Sequence, residues 1–359
     1  MPETPLARGS TIGILGGGQL GRMLAEAAEK LGFECHIYCP EADAPALQVA
    51  DGTTADYKDT DALAAFAEKA DVITYEFENI PPETVKTLAE TCNVFPSAHA
   101  LEMTQDRLHE KQFLTELGIA VAQFHPVDDA PSLAAALDDL GGHGILKTRR
   151  FGYDGKGQWR ITPESDTETL MKELDGRAAI LEAVVAFDTE ASLIVARGRD
   201  GEIKLYDPIE NRHENHILRH SSLPARFTAD QRKAAEAMAH KIVAALDYVG
   251  VLAVELFVSG DGLRVNELAP RVHNSGHATL DACACSQFEQ HIRAIAGMSL
   301  GDTQRHADAV MTNILGDEIS EWQDRKDKPD MRLHLYGKAE ARKGRKMGHV
   351  TELKPKSAR

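Results

Sequence analysis

Residues 11–15, Thr-Ile-Gly-Ile-Leu, run without a break into Gly16-Gly-Gly-Gln-Leu-Gly21, and an amphipathic segment begins at once beyond them. A short apolar run rich in β-branched residues reads as a buried strand, and the glycines let the chain turn sharply into a helix. Leu20, Met23, Leu24, Ala27, Ala28 and Leu31 recur at helical spacing and give that helix one apolar stripe. Gly32 ends it, and 33–39 reads as a second strand. A helix near 60–70, a strand at 71–77, a helix opened by Pro81-Pro82 and a short strand at 93–96 continue the alternation. Strands separated by helices are joined by crossovers, which is the signature of a doubly wound parallel α/β sheet. That first unit closes near residue 105.

The pattern then changes to α+β. A helix covers 106–119 and stops at Gly118; strands fall at 144–148, 158–161, 179–186 and 191–197, with long helices near 228–247 and 285–296. The last segment, from about 305, carries short strands at 309–314 and 332–336 and then a basic stretch. The 359 residues suffice for two or three domains, and 43% apolar with 27% charged residues is an ordinary globular balance. A formal charge of −16 argues against a general nucleic-acid binder or an anionic-membrane binder. The first ten residues lack a signal-peptide core, and no run of about 18 apolar residues occurs, so a cytoplasmic location is expected. Five cysteines do not make a disulfide framework; Cys283 and Cys285 near His273, His277 and His291 match no zinc spacing and read as reduced structural thiols.

Three segments carry chemistry. Val251-Leu-Ala-Val-Glu-Leu-Phe-Val-Ser259 and Leu263-Arg-Val-Asn-Glu-Leu268 flank Gly260-Asp-Gly262, which suits a hairpin with a three-residue loop and Gly262 at positive φ. Ser259 then faces Leu263, and Glu255 directly faces Glu267. Opposed carboxylates roughly 5 Å apart at Cβ repel unless a cation lies between them. The pair reads as a clamp for a hard divalent ion such as Mg²⁺, or as two solvated surface carboxylates. The second segment, Lys147-Thr-Arg-Arg-Phe-Gly152-Tyr153-Asp154-Gly155-Lys156-Gly157-Gln158, joins two strands. It suits a lysine and flexible loop folded over nucleotide phosphates, or a polar hairpin tip; no Walker motif is present. The third is Gly16-x-Gly18-x-x-Gly21 with Glu41 about 20 residues on: a dinucleotide fingerprint with Glu41 on the ribose, another phosphate site, or a tight turn alone. Glu182-Ala-Val-Val-Ala-Phe-Asp-Thr-Glu190 could also present a purine-binding strand edge.

Lysine, glycine loop, nucleotide edge and paired glutamates occur here in the order found in the ATP-grasp carboxylate–amine ligases, which the chain resembles over almost its full length. Gly16-Gly-Gly-Gln-Leu-Gly-Arg-Met23, Tyr75-Glu-Phe-Glu-Asn-Ile-Pro81, Phe151-Gly-Tyr-Asp-Gly-Lys-Gly157, Val265-Asn-Glu-Leu-Ala-Pro-Arg-Val-His-Asn-Ser-Gly-His277 and Gly344-Arg-Lys-Met-Gly-His349 are similar to the members that carboxylate 5-aminoimidazole ribonucleotide in purine biosynthesis. The resemblance implies an N-terminal domain over 1–105, an ATP-grasp region over 106–300 with a lid at about 120–185, and a small C-terminal domain over 301–359. It implies ATP, bicarbonate and the aminoimidazole ribonucleotide as substrates, Mg²⁺ as cofactor, and a homodimer. Arg107, Lys147, Gly152 to Gln158, Glu182, Ala183, Val184, Val185, Glu190, His213, Asn266 and Glu267 would contact ATP, and Glu255 and Glu267 would hold Mg²⁺. Gly18, Gln19, Leu20, Glu76, Tyr153, Asp154 and Asn274 would face the ribonucleotide, with Lys338, Arg345 and Lys346 on its 5′-phosphate. Arg271 would meet bicarbonate or carboxyphosphate, and His273 would act as base or as hydrogen-bond donor. The alternatives are a formate- or biotin-dependent ligase of the same fold, an NAD-dependent dehydrogenase built on the first glycine loop, or a catalytically dead nucleotide sensor. The dehydrogenase leaves the glutamate pair and the 150s loop without a purpose.

Overall fold

The computed structural model describes residues 4–152, 155–323 and 328–357. Strands are numbered along the chain: β1 Thr11–Leu15, β2 Glu34–Cys39, β3 Asp51–Thr54, β4 Val72–Tyr75, β5 Phe124–Val127, β6 Gly144–Thr148, β7 Gln158–Ile161, β8 Ala179–Glu182, β9 Thr189–Arg197, β10 Ile203–Leu205, β11 Ile209–Glu214, β12 Ile217–Leu223, β13 Gly250–Ser259, β14 Gly262–Ala269, β15 Asp308–Leu315, β16 Met331–Leu335 and β17 Lys346–Lys354. The first four form a parallel sheet in the order β3-β2-β1-β4. The expected alternation therefore holds, and β3 adds an edge strand at Asp51–Thr54 that the sequence pattern did not signal. The segment at 93–96 contributes only a bridge, Val94 beside Ile73.

A second sheet, β5-β8-β6-β7, is antiparallel and carries the 150s loop between β6 and β7. Its own small core holds Val127, Leu133, Leu146, Ile161 and Leu181. The third and largest runs β14-β13-β9-β11-β12-β15-β17-β16, with β10 attached to β9. The basic stretch near the C-terminus is thus not a tail: Lys346–Lys354 pairs with strands on both sides.

One apolar core spans the parallel sheet and the large one. Ile12, Ile14, Leu24 and Val72 share it with Ile194, Val251, Phe288 and Ile292. The helix Gln287–Ile295 lies between them, and His291 ties the two sheets by bonding Thr74 Oγ1 at 2.8 Å and accepting the Val251 N–H at 3.0 Å. On the other face of β9 and β13, helix Ala229–Ala245 buries Ala235, Ala239, Ile242 and Val243. A capping box of Thr228 and Gln231 starts it. The helix expected at 106–119 is Arg107–Glu116, preceded by a separate helix Ala98–Gln105 and divided from it by the extended Asp106.

Candidate functional site

The hairpin of β13 and β14 does place Glu255 opposite Glu267, but by a different route from the one the spacing predicts. The connector has two residues, with Ser259 facing Gly262 (φ 124°). Such a turn alone would set Glu255 against Asn266. A bulge between Leu256 and Glu255 inserts one extra residue and restores the opposition. Burial explains why: Leu263 and Val265 point inward before the bulge and Leu268 after it, so the inward positions change from odd to even at Asn266.

Arg107 faces the pair, its Nη1 2.5 Å from Glu267 Oε2. Burial opposes ionisation of Glu267, but the Arg107 charge and hydrogen bond outweigh it and hold that carboxyl below its usual range. Glu255 is pushed the other way, by burial and then by the Glu267 charge. Two partly buried carboxylates whose pKa values are driven apart in this manner, with Asn266 Oδ1 buried and unpartnered beside them, fit an oxygen-donor site for a divalent cation. His273 Nε2 lies 3.1 Å from Glu255 Oε1, while its Nδ1 accepts from the Ser275 N–H and faces Ser275 Oγ at 2.8 Å. These contacts put the proton on Nε2, and burial pushes the imidazole down to about 3, so it is neutral.

Glu255 and Glu267 open onto a cleft of about 770 Å³. Arg107, Lys147, Gly152, Gly155, Lys156, Gln158, Glu190, His213, Asn266, Arg271, His273, Asn274 and Lys346 all line it, as do Gln19, Leu20 and Glu76 across from them. Lys147 Nζ lies 2.9 Å from Glu182 Oε2, and Lys147 with Lys111 holds Glu182 ionised against its burial. His213 Nδ1 lies 2.7 Å from Glu190 Oε2; burial opposes its charge, yet Glu190 raises its pKa. Arg271 forks onto Glu78, with Nη2 2.6 Å from Oε1 and Nε on Oε2, and donates to the Val272 carbonyl as well.

Several expectations change. The first glycine loop is not an open anion site: the Glu76 carboxylate accepts the Gly18 N–H at 2.7 Å and the Gly21 N–H at 2.9 Å, at the start of helix Gln19–Lys30. A Cβ on Gly18 would stand 2.6 Å from Glu76 Oε1, so the glycine is there to admit a carboxylate. Glu41 is exposed just beyond β2, and a carboxylate already seated on the Gly18 and Gly21 amides leaves no place there for a pyrophosphate, which argues against the dinucleotide reading. Gly18, Gly157, Glu182 and Ala183 to Val185 do not line the cleft, and the strand expected over 179–186 ends at Glu182. Lys338 and Arg345 lie outside the lining too. Lys338 Nζ donates to the Lys346 carbonyl at 2.8 Å, and Arg345 donates to the Glu340 carbonyl at 2.9 Å. Tyr153 and Asp154 lie outside the described residues.

Sequence reasoning missed Glu78, Glu110, Lys111, Arg149 and Arg150. Glu110 and Lys111 follow Arg107 at i+3 and i+4, so helical periodicity could have put them on its face. Asp106 is the anchor of that corner: it caps helix Arg107–Glu116 and takes two 2.8 Å bonds from Arg149. Among the described residues, the one group of three or more metal-ligating side chains gathered together is Asp281, His334 and His349. The two rings stack at 4.6 Å and 13°, which points their lone pairs along parallel planes and not at a common ion. Cys283 and Cys285 are buried free thiols raised to about 12 by burial.

Family models match three stretches: a ribonucleotide synthetase preATP-grasp domain over 9–105, an ATP-grasp domain over 112–288, and a phosphoribosylaminoimidazole carboxylase C-terminal domain over 309–359. The N5-carboxyaminoimidazole ribonucleotide synthase of Brucella melitensis is 53% identical, over 99% of this chain and 100% of that one. A crystal structure of the ADP complex of an N5-carboxyaminoimidazole ribonucleotide synthetase superposes with a TM-score of 0.94 at 42% identity, covering 98% and 94% of the two chains. An Aspergillus clavatus N5-carboxyaminoimidazole synthase in complex with ADP and 5-aminoimidazole ribonucleotide gives 0.90 at 31% identity, over 97% and 94%. The chain belongs to the N5-carboxyaminoimidazole ribonucleotide synthase family, ATP-grasp ligases that carboxylate 5-aminoimidazole ribonucleotide in purine biosynthesis.

Proposed function

We propose that this cleft joins bicarbonate to the amine of 5-aminoimidazole ribonucleotide at the expense of ATP, with carboxyphosphate as the intermediate. The observation that carries the reading is the convergence of Glu255, Glu267, Lys147, Arg107, Arg271 and Lys346 on one cleft. A bicarbonate oxygen attacks the γ-phosphorus, the bond to ADP breaks, and a mixed anhydride forms. The ribonucleotide amine then attacks the carboxyl carbon, and phosphate leaves with the amine's proton. Such chemistry asks the protein for positioning and charge neutralisation.

Arg107, Lys147 and the loop from Gly152 to Gln158 would meet the ATP phosphates, with Glu190 and His213 toward the nucleoside; Glu182 to Val185, which do not line the cleft, stay in the reading on the family resemblance alone. Glu255 and Glu267, with Asn266 beside them, would hold Mg²⁺, which neutralises phosphate charge when bound. Arg271, oriented by its fork with Glu78, presents a guanidinium to the bicarbonate and carboxyphosphate oxygens. His273 suits a hydrogen-bond donor better than a base, since its unprotonated nitrogen is engaged by Ser275. Gln19, Glu76 and Asn274 would address the ribonucleotide, and Lys346, with Lys338 held on its carbonyl, the 5′-phosphate. Arg345 is the least suited of that basic group, because its guanidinium is turned to the Glu340 carbonyl.

A cytoplasmic homodimer is part of the proposal, as is the division at residues 105 and 300. In the structure itself, no helix among the described residues is long and apolar enough to cross a membrane. ADP release should require both bicarbonate and the ribonucleotide for its full rate. Glu267→Gln should lower kcat by about 10²-fold or more while leaving the melting temperature within a few degrees. ADP release indifferent to bicarbonate would reject the reaction, and near-normal turnover of the variant would reject the metal role.

A further inference from the structure

We propose that Lys111 is a positioning residue for the metal-binding pair: its ammonium group holds the bulge at Asn266 that brings Glu267 opposite Glu255. The inference rests on the reading of Glu255 and Glu267 as metal ligands given above. A bulge leaves one residue outside the ladder, and its carbonyl needs a partner where water is excluded. Lys111 supplies it. Its Nζ donates to the Asn266 carbonyl at 2.6 Å and lies 3.4 Å from the Val265 carbonyl, so it meets both residues at the inserted step.

The residues around it act on the same strand. From one face of helix Arg107–Glu116, Glu110 accepts the Leu268 N–H at 2.8 Å just beyond the bulge, and Arg107 pairs with Glu267 itself. Lys111 is the one aimed at the inserted residue. It is 0% exposed, and a lysine is seldom retained at such depth without a specific partner. Its counter-ion is Glu182, 3.8 Å away, which Lys147 also contacts. An apolar side chain of the same length would fill the space, yet it would leave the Asn266 carbonyl bare and Glu267 on a strand free to shift. Both ways of removing the bulge are opposed by burial. Moving the extra residue into the turn would expose Leu263 and Val265, and moving it past Ala269 would expose Leu268. The strand is therefore held between two unfavourable registers, and the lysine stabilises the compromise that serves the metal.

The test uses Lys111→Met, Lys111→Gln and Glu267→Gln in the full-length protein, with three readouts. Hydrogen exchange of peptides covering 262–269 is followed without ligand. ADP affinity is measured without metal, and Mn²⁺ binding to the ADP-loaded protein is measured by electron paramagnetic resonance. Lys111→Met is expected to exchange at least ten-fold faster in that segment and to bind Mn²⁺ at least ten-fold more weakly, with ADP affinity within three-fold of the parent. Lys111→Gln keeps a donor and should stay within about three-fold of the parent in all three. If the Met protein cannot fold while the Gln protein is normal, the requirement for a donor at this point stands. Parent-like exchange and Mn²⁺ binding in Lys111→Met would overturn the proposal. So would a loss of ADP affinity as large as the loss of Mn²⁺ affinity, which would place the effect at Glu182 and Lys147. A Lys111→Gln protein that cannot fold overturns it too. Parent-like Mn²⁺ binding in Glu267→Gln would instead sink the metal assignment, and hydrogen exchange alone would then decide the role of Lys111.

Discussion

Arg271 shows how one side chain is prepared for an anion by a neighbour of opposite charge. Its fork onto Glu78 fixes the guanidinium plane, and burial, which works against the Glu78 charge, is outweighed by the arginine so that the carboxyl stays ionised. Removing the arginine strands that carboxylate. Arg271→Ala should therefore depress bicarbonate-dependent ADP release about 10²-fold or more, with ATP binding retained within a few-fold. Arg271→Lys should recover little, because an ammonium cannot reproduce the fork. ADP release alongside ATP calorimetry checks both variants, and an unchanged bicarbonate-dependent rate in Arg271→Ala would reassign the residue. Of this arrangement the sequence discloses Arg271, through its place in the stretch that follows the paired glutamates. It discloses nothing of the pairing with Glu78, which lies 193 residues earlier and becomes a neighbour only when the parallel sheet packs beside the large one. The same holds for Glu76. Its position in Tyr75-Glu-Phe-Glu-Asn-Ile-Pro81 marks it as a site residue, but its seat on the Gly18 and Gly21 amides depends on β1 and β4 lying side by side.

Elements with a strong period and a glycine or proline boundary were legible: β1, β2, β4, β6, β13, β14 and the helices Gln19–Lys30, Ala229–Ala245 and Gln287–Ile295. Two that escaped, β11 and β17, are rich in charged and polar residues. β11 is Ile-Glu-Asn-Arg-His-Glu, and its His213 and Glu190 of β9 meet above the cleft, so the strand owes its conformation to its neighbours. β17 begins and ends in lysine yet buries Met347 and Val350 between β15 and β16. The hairpin is the instructive intermediate case. The opposition of the glutamates was right while the turn was wrong, because two devices, a longer loop or a bulge, produce the same pairing. At the other end of the site, the corner at Asp106 joins a helix start to the root of the 150s loop. Its carboxylate caps the Leu108 N–H and carries Arg149, with Arg150 3.4 Å away. Asp106→Ala should cost about 1–2 kcal/mol through the cap alone, and more through the partly buried Arg149 guanidinium it releases. We expect a lower melting temperature together with a raised KM for ATP. A variant that melts earlier but binds ATP normally would show that the corner supports the fold without setting the loop.

Taken as a whole, the molecule buries histidines where its sheets meet, and this gives it a definite acid sensitivity. His277, His291 and His349 are fully buried, and desolvation lowers all three, His291 to about 3. In the unfolded chain each titrates near 6.5. A group whose folded pKa is depressed contributes stability that is complete above its unfolded value and is lost as the pH falls through the gap between the two. Three carboxyls oppose the trend. Burial raises Glu76, Glu110 and Glu255, so at neutral pH and below these groups take up protons more readily folded than unfolded. With His273, which burial also lowers, four histidines stand against these three carboxyls, and the balance is a net uptake of protons on unfolding between pH 6 and 5. Nearer pH 4 the loss steepens, because Asp106 and Glu182, both held low by their cationic partners, begin to take up protons in the unfolded chain first. The melting temperature of the ligand-free protein should therefore fall from pH 6.5 to 5 and faster below. Replacing His291, whose Nδ1 accepts from β13 and whose Nε2 meets Thr74 of β4, with asparagine should flatten the upper part of that curve while lowering it throughout. A melting temperature that held steady or rose between pH 6.5 and 5 would mean that the buried imidazoles do not govern how the sheets stay joined.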